Sequence, residues 1–323
     1  MVKALIVGTG GIGARHAANI LALRPGAVLI GVRTEPTETT TRLGMKLVPD
    51  LAAGIGERPD FAVVALPPAL HGKTAGTLLA ARVPVYLEKP PAVRVADLES
   101  AAHAAESKGI VTMTGCVLRH MPGFQRLRDL VREEVLGPPI HARLSVGQWL
   151  PDWRPGRDYR DTYSAQRALG GGVLLDLIHE IDLARFLFGE FETVRAVACS
   201  SGTLEIDTED TADILLCRSG LTVNVHLDYL DRARQREGRV ILSGGTVSYD
   251  VMDGRVAAYS AETGRWREIA GKDDFSTRQA LTDAMAHFID CVSQRAPCEQ
   301  PISDGLRSLA LVEQARSGAG LLA

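Results

Sequence analysis

Gly8, Gly10 and Gly13 constrain the fold of this chain more tightly than anything else in it. Residues 2 to 7 form a largely apolar run that stops at Gly8. A helix-like stretch extends from Ile12 to Leu23, Arg24-Pro25-Gly26 closes it, and a second apolar run covers Val28 to Val32. Strand, glycine turn, helix and strand fill about 30 residues, the length a parallel β-α-β crossover needs. In G-x-G-x-x-G the first glycine permits a tight turn, the second lets backbone approach a pyrophosphate, and the third lets helix touch strand. The helix N-terminus, with Gly11 and Ile12 in it, then faces the phosphates. The bland reading is an ordinary glycine-rich turn, but the flanking elements at these lengths favour a dinucleotide site.

The alternation continues. Phe61 to Ala65, Val83 to Leu87 and Ile110 to Thr114 read as buried strands between alanine-rich helical segments near 70 to 81 and 95 to 108, which predicts an α/β, doubly wound parallel sheet. Beyond Arg119 the texture changes. Strands near Ile140 to Val146, Val194 to Ala198, Ala212 to Cys217, Leu221 to Leu227, Arg239 to Ser243 and Thr246 to Tyr249 follow one another mostly without helices. That predicts a C-terminal α+β domain on a largely antiparallel open sheet, with a helix from Leu174 to Leu187 over one face. Leu281 to Val292 and Leu306 to Ala315 read as amphipathic helices. The expected division is a Rossmann domain over 1–118 and a substrate domain over 119–323, consistent with 323 residues at about 150 per domain.

The 36 basic and 39 acidic side chains leave a formal charge of −3, so no positive field gathers nucleic acid or anionic membrane. A small molecule is the expected partner. Five scattered cysteines without a Cys-x-x-Cys pair suit neither a disulfide framework nor a zinc knuckle. They read as reduced and mostly buried, and no metal is expected. With no apolar stretch of 18 residues, the expected location is the cytoplasm.

NAD sites place an acid about 20 residues beyond the glycines to bind the ribose 2′-hydroxyl. Here Arg33-Thr34-Glu35 occupies that place. An arginine and a hydroxyl suit a 2′-phosphate, so NADP is favoured, while Glu35 keeps NAD open. Glu88-Lys89-Pro90-Pro91 ends the Val83 to Leu87 strand, placing a lysine where open α/β sheets bind ligands. An ammonium there suits a hydroxyl becoming a carbonyl. Gly170-Gly171-Gly172 opens a helix that carries Asp176, His179, Glu180 and Asp182. At about 100° per residue, His179 sits roughly 60° from Asp176 and from Asp182 on an unbroken helix, an arrangement that can hold an imidazole for proton transfer. The alternative is a core histidine.

Together with Pro67-Pro68-Ala69-Leu70-His71 and Ile302-Ser303-Asp304-Gly305-Leu306-Arg307-Ser308-Leu309, these motifs resemble the glucose-fructose oxidoreductase / inositol dehydrogenase / MocA family over nearly the whole chain. The resemblance implies NAD(P)-linked oxidation or reduction of a hydroxyl/carbonyl in a sugar, polyol or sugar acid by a homo-oligomer, dimer or tetramer. It implies that Lys89, Asp176 and His179 are catalytic and that Leu66, Pro67, His71, Glu88 and Lys89 join the glycine loop around the cofactor. The family separates its Asp and His by four residues; here the separation is three, with Glu180 at the fourth, and either Asp176 or Asp182 can orient the ring. Trp149, Tyr159, Arg160 and Tyr163 precede that helix and suit a sugar ring and an anionic group; a packed structural loop is the alternative. Two rival functions remain: NAD-dependent glycoside hydrolysis, and a non-catalytic dinucleotide or metabolite sensor.

Overall fold

The computed structural model describes residues 2–33, 41 and 43–320. They form two compact units, one of Met1–Cys116 with Leu281–Leu309 and one of Val117–Ala280 with Ala310–Ala323. No helix among the described residues is long and apolar enough to cross a membrane.

The first unit runs β1 (Lys3–Val7), α1 (Gly11–Leu23), β2 (Val28–Val32), β3 (Lys46–Val48), α2 (Leu51–Gly56), β4 (Phe61–Val64), α3 (His71–Ala80), β5 (Val85–Leu87), α4 (Glu99–Ser107) and β6 (Thr112–Thr114). All strand pairs are parallel in the order β3-β2-β1-β4-β5-β6. Phe61 to Val64 and Val85 to Leu87 are buried throughout, because helices cover both faces of such a sheet and no alternation survives. The strand order reverses between β1 and β4, whose carboxyl ends flank the crevice where doubly wound sheets take ligands.

The second unit begins with α5 (Pro122–Arg132), β7 (Pro139–Gly147), α6 (Val173–Asp176) and α7 (Ile178–Phe188), followed by β8 (Thr193–Cys199), β9 (Thr211–Arg218) and β10 (Leu221–Asp228). It continues through β11 (Gln235–Leu242), β12 (Gly245–Asp250), β13 (Arg255–Ser260) and β14 (Arg265–Ala270). The eight-stranded sheet has the order β14-β13-β12-β11-β7-β10-β9-β8, antiparallel except for β7 beside β10. Leu221, Val223, Val225 and Leu227 alternate inward beneath the helices while Thr222, Asn224 and His226 face out, the pattern of a sheet with one covered face. Hydrophobic alternation does not predict β14, where Arg265, Arg267 and Glu268 interrupt it, nor β13, where Val256, Ala257 and Ala258 are buried in succession.

Two expectations are corrected. The predicted helix from Leu174 to Leu187 is two helical segments, broken at Leu177 (φ −95°, ψ 24°), so the angular estimate for an unbroken helix does not apply. The C-terminal segments do not all belong with the second sheet. In α8 (Thr277–Gln294), Phe288 packs edge-on against Phe61 and Tyr86, 5.4 and 5.6 Å between centroids. At the start of α9 (Ile302–Gly318), the Ile302 N–H donates to Thr112 Oγ1 at 3.1 Å. Periodicity shows that a helix has an apolar face, but not which sheet receives it.

On the open sheet face, His226 lies between two carboxylates, Nδ1 3.0 Å from Asp213 and Nε2 3.2 Å from Asp228. The hydrogen bond with Asp228, aided by Asp213 and opposed by partial burial, raises its pKa to about 9. A folded-state pKa raised above the ordinary value of about 6.5 means stabilisation that is full below that pH and lost on rising through the folded value. With the imidazole about a third exposed, screening limits the gain to about 1 kcal/mol. His226→Gln is therefore expected to lower the melting temperature by a few degrees at pH 6 and hardly at all at pH 10; an equal drop at both would contradict this.

Candidate active site

Backbone demands at the glycine turn separate the roles of its residues. Gly8 has φ +98°, and a Cβ there would run into the Ala65 carbonyl, while a Cβ on Gly13 would overlap the Gly8 carbonyl. Those two glycines are required by the fold itself. Around Gly10 and Gly11 a Cβ would meet nothing within 4 Å, so neither is needed for packing. Gly10 caps α1 without a side chain, and the first turn carries no acid. Its unpartnered amides and the positive end of the helix dipole make an anion receptor beside backbone that a ligand can approach. These residues fit a dinucleotide pyrophosphate. Ile12 is half-buried at the same turn.

Arg33 follows β2 and is exposed; Thr34 and Glu35 lie outside the described residues. Leu66 and Pro67 are half-buried just beyond β4. His71, expected at the cofactor, is fully buried, with Nδ1 2.7 Å from the Pro90 carbonyl and Nε2 2.8 Å from that of Leu66. It ties the two ligand-side turns together, so any part it has in binding is indirect. Glu88 is likewise engaged within the protein. Its Oε1 lies 2.7 Å from Nε2 of His16, a fully buried residue of α1 whose ring packs 4.9 Å from that of Tyr86. Burial works to raise the Glu88 carboxyl, but the hydrogen bond and charge of His16, with Lys89, hold it below its ordinary value. Lys89 follows β5 and keeps partial access to solvent.

The second group of residues lies around α6 and α7. Among the described residues from Gly170 to Phe188, all are buried except His179. The glycines explain the entry to this segment. A Cβ on Gly171 would strike the Tyr163 and Ser164 carbonyls, and one on Gly172 (φ +102°) the Glu209 carboxylate, whose Oε1 accepts the Leu174 N–H at 3.2 Å. Burial pushes the Glu209 carboxyl up. Asp176 accepts from Tyr163 Oη at 2.6 Å, Ser164 Oγ at 2.7 Å and Tyr229 Oη at 3.2 Å. Burial, with Asp176 beside it, pushes the Tyr229 phenol well above its usual value. Both Asp182 oxygens accept from Arg119, at 2.8 and 2.5 Å, and Glu180 pairs with Arg236 at 2.6 Å. The three acids thus bind separate partners, and His179 is the one residue of the segment that is not fully buried, although its Nδ1 is.

The four residues expected to bind substrate divide. Tyr163 is linked to α6 through Asp176. Arg160 is corrected as an anion receptor, because its guanidinium is held by Asp158 at 2.6 Å and Glu205 at 3.0 Å and is already neutralised. The Tyr159 hydroxyl accepts the Glu205 N–H at 3.1 Å, and Trp149 lies beneath the Arg232 guanidinium, 3.5 Å from its ring centroid. Sequence reasoning missed His16, Glu209, Tyr229 and Arg119, whose roles depend on partners distant in the chain.

Residues 2–116 match the model of an oxidoreductase family described as an NAD-binding Rossmann fold, and residues 124–248 match that of the GFO/IDH/MocA C-terminal domain. Over 288 residues the chain is 28% identical to D-apiose dehydrogenase of Paraburkholderia graminis, covering 83% of this chain and 73% of that one. Levoglucosan dehydrogenase in complex with NADH and levoglucosan superposes with a TM-score of 0.87 at 17% identity, over 99% of this chain and 97% of that one. An oxidoreductase from Agrobacterium radiobacter in complex with NAD+, L-tartaric acid and magnesium gives 0.84 at 21%, over 99% and 96%. At these identities the superpositions establish the fold.

Proposed function

This chain belongs to the GFO/IDH/MocA family of NAD-binding oxidoreductases, and we propose that it interconverts a hydroxyl and a carbonyl on a sugar, polyol or sugar acid. One observation carries the reading: in an otherwise buried segment of 19 residues a single residue, His179, is partly exposed. A sensor has no need of that arrangement. The names of the relatives, dehydrogenases of D-apiose and levoglucosan, support a sugar-like substrate.

In the oxidative direction His179 is the base that takes the hydroxyl proton, and the role of the Lys89 ammonium is to steady developing negative charge. When bound, the nicotinamide exchanges hydride with the substrate carbon. Asp176 holds Tyr163 in place and acts through it. Gly8, Gly10, Gly11, Ile12 and Gly13 hold the pyrophosphate, with Leu66 and Pro67 beside it. The open sheet face, where Val197, Leu215, Ile241 and Trp266 are exposed, supports assembly into a homo-oligomer. A cytoplasmic setting suits a dinucleotide enzyme with free thiols.

Exposed Arg33 supports selection of NADP through its 2′-phosphate. Calorimetry is expected to show NADP binding about tenfold tighter than NAD, with Arg33→Ala removing most of that ratio; tighter NAD binding would reverse the assignment. Mixing the loaded protein with a panel of sugars and sugar acids tests the function. A change in absorbance at the reduced-nicotinamide band with at least one of them is expected, whereas dinucleotide binding without turnover of any would favour the sensor.

A further inference from the structure

Remote in sequence from the glycine loop, Lys89 and His179, three soft donor groups gather in the first unit. His287 and Cys291 are four residues apart on α8 and share a face. The loop after it, which Arg295 enters with φ +55°, brings back Cys298. The candidate ligand atoms, one from each residue, all lie within 4.8 Å of one another, and Cys291 Sγ is 3.6 Å from His287 Nε2. Tetrahedral zinc with bonds of about 2.3 Å to sulfur and 2.0–2.1 Å to nitrogen spaces its donors by about 3.5–3.8 Å, so the His287–Cys291 edge is already at ligand spacing. We propose that His287, Cys291 and Cys298 form a site for one soft divalent cation of the zinc class, three protein ligands with a fourth position open.

The surroundings agree. His287 Nε2 accepts the Glu299 N–H at 3.3 Å, which marks it as the nitrogen carrying the lone pair; a bound cation replaces that long contact. Cys298 lines a cavity of about 310 Å³ together with Glu106, Thr112, Arg295 and Pro301, giving a path in and room for a water as fourth ligand. Cys291 and Cys298 are both buried. Burial, with Cys291 beside it, raises the Cys298 thiol above its ordinary value, and ligation is coupled to release of that thiol's proton. The spacing His-x3-Cys-x6-Cys hides this arrangement in sequence, because its third ligand depends on the loop path.

Tag-free full-length protein, reduced and treated with chelator, is titrated with cobalt(II) as a spectroscopic stand-in for zinc. One equivalent is expected to bind with a thiolate-to-cobalt charge-transfer band in the near ultraviolet, and zinc to displace it while raising the melting temperature. C291S and C298S should each weaken binding by more than about a hundredfold, beyond what even outer-shell partners command; C199S, altering the exposed cysteine, should bind as the parent does. The proposal is overturned by the absence of the charge-transfer band, by uptake that survives in either buried-cysteine variant, or by reduced protein that takes no cobalt and instead forms a Cys291–Cys298 disulfide.

Discussion

His179→Ala is expected to lower turnover by about 10²–10⁴-fold while leaving dinucleotide affinity within about twofold, the scale of a positioned general acid or base. The fold should tolerate the change, because His179 is the one residue of its buried segment that is partly exposed. Lys89→Ala should show the same split for a different reason, having removed the ammonium that steadies the reacting oxygen. The double variant measures whether the two losses are independent, since residues that work as a unit are not additive. Single-turnover absorbance with the best substrate of the panel gives all three rates. Undiminished turnover in both single variants would remove these assignments.

Asp182→Ala is expected to be the most destabilising single change in the second unit, at about 3–5 kcal/mol, a fall in melting temperature of roughly 10 °C. Asp182 is almost fully buried and Arg119 is 13% exposed. Removing the carboxylate takes two charge-assisted hydrogen bonds from a guanidinium largely withdrawn from water. Arg185 lies 3.9 Å from the same carboxylate but also reaches Glu190 at 2.6 Å, so it keeps a partner. Asp158→Ala is the control. Its bidentate bond with Arg160 has comparable distances, yet Arg160 is 49% exposed, and exposed pairs contribute at most about 1 kcal/mol. Similar losses in the two variants, read by calorimetric melting, would show that burial does not set the cost.

What was legible in the sequence divides along a physical line. The glycine turn could be read because its demands are local: a positive φ at Gly8 and a helix pressed against its carbonyl at Gly13 involve residues a few positions apart. The parallel sheet was legible for the same reason, each buried strand announcing itself as a short apolar run. Arg160 was misread because its second carboxylate, Glu205, lies 45 residues away. The His16 to Glu88 contact spans 72 and left no local trace, so the Glu-Lys-Pro acid looked free for a ligand. The break at Leu177 was hidden because leucine is an ordinary helix residue. The return of most of α8 and the first half of α9 to the first unit was not legible either. Their apolar stripes fit any apolar surface; contacts such as those of Phe288 with Phe61 and Tyr86, and of Ile302 with Thr112, select one.

The central claim is hydride exchange on a sugar-type carbon assisted by His179. Its most direct measurement incubates the protein and oxidised dinucleotide with a panel substrate deuterated at its carbinol carbon, then analyses the recovered nicotinamide by mass spectrometry. Deuterium at nicotinamide C4 with the parent protein, and almost none with His179→Ala, is the predicted result. Parent protein that binds the dinucleotide yet passes no deuterium from any substrate, or a variant that passes as much as the parent, would contradict it.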